Sequence, residues 1–376
     1  MSRAEKLLCE LIALPSVNPA FAPANDSHAG EQRVADFLAA TAAQAGLPVE
    51  FQNISPNRSN FITRLSPAGK ITKRILLAPH LDTVPAANET QFSPIKKNGR
   101  LYGRGACDTK GSVAAMLTAL IAVAHAAQRP ANTEIIFAGL IDEEDGQRGS
   151  RALPASGLKA DLAIVGEPTE LKIVTAHKGS LWLRLETRGK AAHGSRPEFG
   201  KNAVHEMARV VDLLETDYAK QLRRRKHALL GHATISVGTI SGGTQANVVP
   251  DRCIITADRR TLPGETEQSV RREIGQLLRK KKLSATIDDS KSALCLPLET
   301  DLKSPLVQQF FQSIGQKKAV GVDYFCDAAV LSQAGIPSVV FGPGNIAQAH
   351  TSDEWISVRS LEQGAAMLIQ FLKSLP

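Results

Sequence analysis

The stretch RILLAPHLDTV, residues 74–84, is a continuous apolar run that ends in a histidine and an aspartate. An apolar run without polar alternation is typical of a strand covered on both faces of its sheet. Further runs of this kind are separated by helical stretches such as the Ala- and Leu-rich GSVAAMLTALIAVAHAA (111–127). This alternation predicts an α/β fold with a mainly parallel sheet flanked by helices. The further runs are EIIFAGLIDEE (134–144), DLAIVGEP (161–168) and SVVFGPG (338–344).

The middle of the chain carries a different pattern. In SLWLRLETRG (180–189) the leucines alternate with Trp182, Arg184 and Glu186. This alternation predicts a sheet with one open face, and the order β-α-β-β-α-β across the region predicts a small ferredoxin-like α+β layer. The apolar pattern resumes after about residue 292. We therefore expect the first part of a main domain in 1–176, an inserted domain in 177–290 and the second part of the main domain in 291–376, with a hinge at the two connections.

Composition and charge argue against several classes of protein. The formal net charge of the 376 residues is +8, but the longest basic runs, LRRRK (222–226) and RKKK (279–282), have few aromatic neighbours and predict solvated helix faces. The five cysteines form no CxxC pair, which suits a reducing cytoplasm. The first apolar stretch is interrupted by Glu10 and stopped by Pro15, which predicts a helix and not a signal peptide or membrane span. We expect a cytoplasmic protein with no nucleic-acid or membrane partner.

Ionisable side chains follow each of the four apolar runs. Ligands of open α/β sheets bind beyond the carboxyl ends of the strands, so these side chains are expected to meet at one edge of the sheet. Any one of them, taken singly, is more often a helix cap or a solvated loop residue. Acidic groups gathered in one place repel each other unless cations neutralise them, so the whole set indicates a site. Its members are His80, Asp82, Glu143, Glu144, Glu167 and His350, together with Asp108 in the Gly-rich turn GRGACDTKG (103–111).

This set of imidazoles and carboxylates suits a pair of divalent metal ions, zinc first, with cobalt and manganese as alternatives. Two such ions need a bridging group, and an aspartate on a tight loop can supply it. We assign Asp108 as the bridge. His80 and Glu167 are expected to complete one metal site, and Glu144 and His350 the other.

Two acidic residues of the set remain for other roles. Asp82 lies two residues after His80 and is expected to accept the imidazole N–H, which fixes the tautomer of the metal ligand. Glu143 is expected to act as general base, taking the proton of a water that bridges the metals and then passing it to the leaving amine. The chemistry predicted from these residues is hydrolysis.

The motifs HLDTVP, LYGRGACDTKG, DEE, GEPT and GPGNIAQAH resemble, in order and spacing, those of a known family. This is the family of co-catalytic zinc amidohydrolases and peptidases that includes acetylornithine deacetylase, succinyl-diaminopimelate desuccinylase, carboxypeptidase G and aminoacylase. The resemblance spans nearly the whole chain and implies the same ligands, orienting residue and base. It also implies a cis peptide bond between Asp108 and Thr109, a catalytic main domain, and an inserted lid domain through which the protein forms a homodimer.

The resemblance further implies three functional residues in the lid domain. His193 in AAHGS matches a lid histidine that reaches the site of the neighbouring subunit and stabilises the oxyanion. Asn247 in QANVVP is similar to a substrate-binding asparagine. Arg260 in DRRTLPG matches an arginine that holds the substrate carboxylate. Each of these residues, taken alone, is at least as often structural.

Within the family, GEPT, AHKG (176–179) and GPGNIAQAH look most like the acetylornithine deacetylases. The implied activity is cleavage of the amide of an N-acyl amino acid, with N-acetylornithine first. The alternatives are succinyl-diaminopimelate desuccinylase and a dipeptidase- or aminoacylase-type activity, which share every metal ligand. A non-catalytic binding or dimerisation module is a further alternative, and the complete ligand set argues against it. Cys326 stands where many relatives carry Ser or Thr before the acidic residue, here Asp327, and bears on the acyl or amine preference.

Overall fold

The computed structural model describes residues 1–289 and 295–376. The chain forms two compact units: unit 1 contains Met1–Thr175, Thr300–Val320 and Cys326–Pro376, and unit 2 contains Ala176–Glu299 and Gly321–Phe325. Unit 1 therefore draws its residues from separate parts of the chain. The predicted return of the apolar pattern after about residue 292, and the predicted boundary between 290 and 291, lie outside the described residues.

The helices and strands have the following bounds. The helices are α1 (Arg3–Ile12), α2 (Gln32–Gln44), α3 (Lys110–Ala124), α4 (Arg148–Ala155), α5 (Ala203–Asp212), α6 (Ala219–Leu222), α7 (Glu267–Lys280), α8 (Pro305–Ile314), α9 (Ala328–Gln333) and α10 (Val358–Lys373). The strands are β1 (Val49–Ser55), β2 (Arg58–Leu65), β3 (Lys73–Pro79), β4 (Ile95–Lys97), β5 (Arg100–Tyr102), β6 (Thr133–Gly139), β7 (Leu162–Gly166), β8 (Val174–His177), β9 (Gly179–Arg188), β10 (Lys226–His227), β11 (Gly231–His232), β12 (Thr234–Gly242), β13 (Arg252–Thr261), β14 (Thr286–Asp289), β15 (Leu298–Glu299), β16 (Val320–Val322), β17 (Ser338–Val340) and β18 (Trp355–Ser357). Short 3-10 turns cover Glu89–Phe92, Pro197–Phe199 and Ile346–Gln348, and a π-helical segment, Leu213–Tyr218, joins α5 to α6.

The large sheet of unit 1 has the strand order β1-β2-β6-β3-β7-β17-β8. Its central strands β6, β3, β7 and β17 are parallel, and β1, β2 and β8 add to them in the antiparallel sense. In this register Leu76 of β3 lies between Ile136 of β6 and Ala163 of β7. The central strands are the four apolar runs of the sequence, and the predicted α/β fold is confirmed.

Helix α3 lies at the centre of the core of unit 1. Every residue of this helix except Ala122 is buried, and it contacts β3, β6 and β7 as well as helices α1 and α10. A helix that is apolar on all sides is stable only in such surroundings. Burial of each leucine or isoleucine side chain stabilises the folded state by roughly 1.5–3 kcal/mol. Because α3 begins at Lys110, its packing also fixes the turn that carries Asp108.

The four parallel strands end at the same edge of the sheet, as expected for parallel neighbours. Strand β6, the second of the four along the chain, is shorter than predicted, because it ends at Gly139 and not at Glu144. Leu140 still forms a parallel bridge with His80, but Asp142 has a φ of 70°, in the left-handed region, and cannot continue a strand. Glu143 and Glu144 therefore lie on a loop beyond the strand.

Unit 2 contains an antiparallel sheet of order β12-β13-β9-β14, and helices α5 and α7 supply apolar residues to its core. The chain order and strand order are those of a ferredoxin-like layer, as predicted. Leu181, Leu183 and Leu185 are buried in this core, whereas Trp182 is 56% exposed. The short strand β15 pairs with the end of β8 through Leu298 and His177.

Several described parts of the fold have no counterpart in the sequence prediction. Among them are the antiparallel pair β1 and β2 at the edge of the large sheet and the small sheet of order β18-β5-β4. Their strands mix polar and apolar residues, which gives a weak periodic signal. Among the residues that the structure describes, none of the helices combines the length and apolar character that crossing a bilayer demands.

Candidate metal centre

Three predicted ligands from three separate segments form one cluster in unit 1. His80 Nε2 lies 3.1 Å from Asp108 Oδ1 and 3.8 Å from Glu167 Oε1. His80 follows β3, Glu167 follows β7, and Asp108 precedes α3. All three residues are buried, and their ligand atoms lie within 4.8 Å of one another. The parallel strands thus bring together the groups that the sequence pattern selected.

A second cluster shares Asp108 with the first. His350 Nε2 lies 3.4 Å from Asp108 Oδ2 and 3.2 Å from Glu144 Oε1. Glu144 belongs to the loop after β6, and His350 follows the 3-10 turn after β17. The ligand atoms of this cluster also lie within 4.8 Å of one another. The side chain of His350 is 52% exposed, so this cluster is the one that faces solvent.

The turn that carries Asp108 is held by glycine geometry and by a contact to β7. Gly105 has a φ of 79°, and a Cβ at this position would lie 2.9 Å from side-chain carbons of Thr83 and Lys110. The peptide bond between Asp108 and Thr109 is cis, as the resemblance implies. The hydroxyl of Thr109 donates to the carbonyl oxygen of Gly166 at 2.9 Å.

Asp82 has two contacts of different kinds. The nearest partner of His80 Nδ1 is the main-chain carbonyl oxygen of Asp82, at 3.0 Å, and the carboxylate oxygen Oδ1 lies at 3.4 Å. With the Nδ1 proton directed to Asp82, the neutral imidazole keeps its Nε2 lone pair for a metal. The Asp82 carboxylate also accepts the backbone N–H groups of Glu143 and Glu144, each at 3.1 Å. Asp82 therefore orients both a predicted ligand and the loop that carries the predicted base.

A buried polar network behind Asp82 was missed by the sequence analysis. Asn18 Nδ2 donates to Asp82 Oδ2 at 2.8 Å and to Asp142 Oδ1 at 3.1 Å. Arg58 pairs with Glu31 and, at 2.9 Å, with Asp142. All five residues are buried. Asn18 in SVNP lies only a few residues after α1, but the sequence offers no spacing that connects it to positions 64 and 124 residues away.

The three glutamates of the site, Glu143, Glu144 and Glu167, are held in surroundings that disfavour their charge. Burial and the neighbouring Glu167 raise the pKa of Glu143 well above its usual range, and burial and Asp108 do the same for Glu167. Burial disfavours the imidazolium of His80, but hydrogen bonds to Asp108 and Asp82 outweigh it and raise the pKa of His80. Hydrogen bonds to Asp108 and Glu144 raise the pKa of His350 to about 10.

Cys326 and Asp327 lie in unit 1 close to the same carboxylates. Burial raises the pKa of the Cys326 thiol, and the charges of Glu167 and Glu143 raise it further. Asp327 accepts a hydrogen bond from the Ser150 hydroxyl at 2.5 Å, and burial raises the pKa of Asp327 to about 7. Cys326 is therefore close enough to the predicted base for the charge of Glu143 to affect its thiol.

The donor set fits divalent metal ions. Each cluster offers one imidazole nitrogen and two carboxylates, which are ligands that zinc, cobalt and manganese accept. Glu167 Oε1 is buried and has no hydrogen-bond partner, which is costly for a carboxylate oxygen unless a cation takes that place. Asp108 directs its two oxygens to different clusters, as a bridging ligand does.

The lid residues implied by the resemblance lie in unit 2. The N–H of Gly194 donates to the carbonyl oxygen of Asn247 at 2.7 Å, so the loops of His193 and Asn247 are neighbours. His193 Nδ1 accepts from the backbone N–H of Ser195 at 3.2 Å, which leaves the proton of the neutral ring on Nε2 as a donor. Arg260, near the end of β13, pairs with Asp258 at 2.9 Å.

The fold and these clusters define a metal-dependent hydrolase. The chain belongs to peptidase family M20/M25/M40, whose sequence model matches residues 76–374. It is 32% identical to an acetylornithine deacetylase of Edwardsiella ictaluri, over 96% of this chain and 95% of the relative. Its fold is similar to that of the aminopeptidase PepT of Bacillus cereus, with a TM-score of 0.80 and 21% identity over 99% of this chain and 97% of the other. It is also similar to the YxeP protein of Bacillus subtilis, a dinuclear metal-binding peptidase of family M20, with a TM-score of 0.72 and 13% identity over 99% and 97% of the two chains.

Proposed function

We propose that this protein is a dinuclear metal-dependent amidohydrolase that converts N-acetylornithine to ornithine and acetate. The observation that carries the proposal is the pair of clusters that share Asp108, with Glu143 on the adjoining loop. Support for the substrate comes from the 32% identity to an acetylornithine deacetylase over nearly the full length of both chains.

Five residues would hold the two metal ions. His80 and Glu167 would bind one ion, Glu144 and His350 the other, and Asp108 both. When bound, such ions polarise the amide carbonyl and the attacking water. Zinc is the first candidate, with cobalt or manganese as alternatives that the same ligands accept.

Glu143 is the group that moves the proton. Its carboxylate takes a proton from the attacking water as the water oxygen forms a bond to the amide carbon. As the bond from that carbon to nitrogen breaks, Glu143 returns the proton to the leaving nitrogen, so acetate and a free amine result. The hydrogen bonds from the Glu143 and Glu144 N–H groups to Asp82 hold this loop in place. Burial of Glu143 gives it the raised pKa that a base of this kind requires.

The roles of unit 2 belong to the same proposal. We propose that unit 1 is the catalytic domain and unit 2 a lid through which two chains form a homodimer. His193, with its proton on Nε2, would donate to the oxyanion in the site of the second subunit. Asn247 and Arg260 would bind the substrate, Arg260 through its carboxylate. We also propose that the enzyme is cytoplasmic, acts on a small-molecule substrate and has no nucleic-acid or membrane partner.

A substrate panel tests the proposal. Metal-free protein and zinc-reconstituted protein are assayed with N-acetylornithine, N-succinyl-diaminopimelate, other N-acyl amino acids and dipeptides. We expect activity only after reconstitution and the highest kcat/KM for N-acetylornithine. A higher kcat/KM for the succinyl compound or for dipeptides would overturn the proposed substrate but not the proposed metal-dependent hydrolysis. Full activity of the metal-free protein would overturn the mechanism.

A further inference from the structure

Glu354 is a buried carboxylate in unit 1 that none of the roles above includes. It is 1% exposed, and each of its oxygens accepts two hydrogen bonds. Oε1 accepts the backbone N–H groups of Cys107 at 2.8 Å and Asp108 at 2.9 Å. Oε2 accepts the backbone N–H of Gly105 at 3.0 Å and Nη1 of Arg104 at 2.6 Å. All four donors belong to the turn that carries Asp108.

Glu354 also belongs to the loop that carries His350, four residues earlier. The two segments are joined at further points, because the N–H of Gly103 donates to the Glu354 carbonyl at 3.0 Å. Arg104 Nη2 donates to the Thr351 carbonyl at 3.2 Å. These hydrogen bonds hold the segments 103–108 and 350–354 together.

The hydrogen bonds of Glu354 join the segments of two ligands of the cluster of Asp108, Glu144 and His350, but reach only one ligand of the cluster of His80, Asp108 and Glu167. Asp108 and His350 both belong to the cluster that Glu144 completes. In the other cluster His80 is oriented by Asp82, and Glu167 follows strand β7. Among the described residues, Glu354 forms no hydrogen bond or ion pair with His80, Glu144 or Glu167.

We propose that Glu354 is a positioning residue that sets the separation of Asp108 and His350, and with it the metal affinity of the cluster of Asp108, Glu144 and His350. The inference rests on the proposed dinuclear centre and deepens it. Groups that orient metal ligands typically change affinity ten- to a hundredfold when they are altered. A carboxylate with four charge-assisted hydrogen bonds is a rigid support of this kind.

The variant Glu354→Gln preserves size but turns an NH2 group toward donors. At least one backbone N–H of the Asp108 turn then loses its acceptor. The matched control is Glu134→Gln, because Glu134 is also a buried carboxylate of unit 1, paired with Arg74 at 3.0 Å and with Ser66, away from both clusters. A second variant, Arg104→Lys, keeps the positive charge. It loses the guanidinium group, whose two terminal nitrogens donate to Glu354 and Thr351 at the same time.

The experiment is a titration of metal-free protein with Co2+ in competition with a chelator, followed by absorbance, with the melting temperature measured in parallel. We expect the wild type and Glu134→Gln to bind two equivalents. In Glu354→Gln the first equivalent should bind within about threefold of the wild type and the second roughly ten- to a hundredfold more weakly. Arg104→Lys should show the same selective loss to a smaller extent.

The possible outcomes separate this inference from the proposed function. Two equivalents bound by Glu354→Gln and Arg104→Lys with wild-type affinities would overturn the positioning role alone. Equal weakening of both equivalents, or the same loss in Glu134→Gln, would show a merely structural role and also overturn it. A wild-type protein that takes up only one equivalent would overturn the dinuclear centre itself.

Discussion

Asp108 directs one carboxylate oxygen to His80, at 3.1 Å, and the other to His350, at 3.4 Å. These two histidines follow different strands and lie 270 positions apart in the chain, so the aspartate is the meeting point of two otherwise separate groups of ligands. The relationship suits a carboxylate that bridges two ions.

Replacement of Glu143 by glutamine should abolish turnover and leave the metal sites intact. The amide cannot accept a proton from water, and loss of a general base typically costs roughly 10²–10⁴ in rate. The measurements are kcat with N-acetylornithine and the metal content after dialysis. A variant with near wild-type kcat would remove Glu143 from the mechanism, and a variant that loses metal would show a ligand role instead.

Replacement of Asn18 by alanine should lower both stability and kcat. The change leaves Asp82 and Asp142 each without one hydrogen bond in a buried place, which typically costs roughly 1–3 kcal/mol. Because Asp82 holds the loop of Glu143, we also expect kcat to fall more than KM rises. Urea unfolding and steady-state kinetics measure the two effects. Reduced stability with unchanged kcat would limit Asn18 to a structural role.

Removal of metal by a chelator should destabilise unit 1 as well as stop the reaction. An ion that binds only the folded state adds about 2.7 kcal/mol when its free concentration is a hundred times Kd. Thermal unfolding with and without chelator measures this difference, and added Zn2+ should restore both the melting temperature and the activity. Identical melting curves would speak against ions that bind the folded chain.

The contribution of His177 to the stability of the protein should fall below about pH 6.5. This histidine is fully buried in unit 2, its Nδ1 donates to the Lys178 carbonyl at 2.9 Å, and burial lowers its pKa to about 4. The unfolded chain, with a pKa near ~6.5, binds this proton more readily. The contribution is therefore present above about pH 6.5 and is lost as the pH falls toward 4, with about 2 kcal/mol lost at pH 5.

Urea unfolding of metal-free protein at pH 7 and pH 5 tests this dependence. The variant His177→Gln should show a smaller difference between the two pH values than the wild type, by about 2 kcal/mol. The exposed His205 provides a control, and His205→Gln should behave as the wild type does. Equal pH differences in the wild type and His177→Gln would contradict the assignment.

The sequence predicted the parts of the fold that depend on continuous patterns. The four parallel strands appear as unbroken apolar runs, and the residues after them, with Asp108 in its Gly-rich turn, are the ones that the structure brings together. The length of β6 was overestimated, because nothing in the sequence LIDEE indicates the left-handed conformation of Asp142. The ligand and base roles themselves stay predictions until metal binding and kinetics are measured.

The supporting residues could not be predicted for a physical reason. Asn18, Arg58 and Glu354 act through hydrogen bonds to segments that lie far away in the sequence. No helical or strand period marks such a residue, and a polar side chain near a loop is usually solvated. Only the folded chain shows that these side chains are buried and which groups they contact.

Helix α3 starts two residues after Asp108 and is enclosed on almost every side by the apolar interior. A substitution along it that adds or removes even a methyl group would shift the helix axis and carry the shared carboxylate with it. Laboratory evolution for heat tolerance in this protein should therefore find few neutral changes between Val113 and Val123, because both thermal stability and turnover depend on the packing of helix α3.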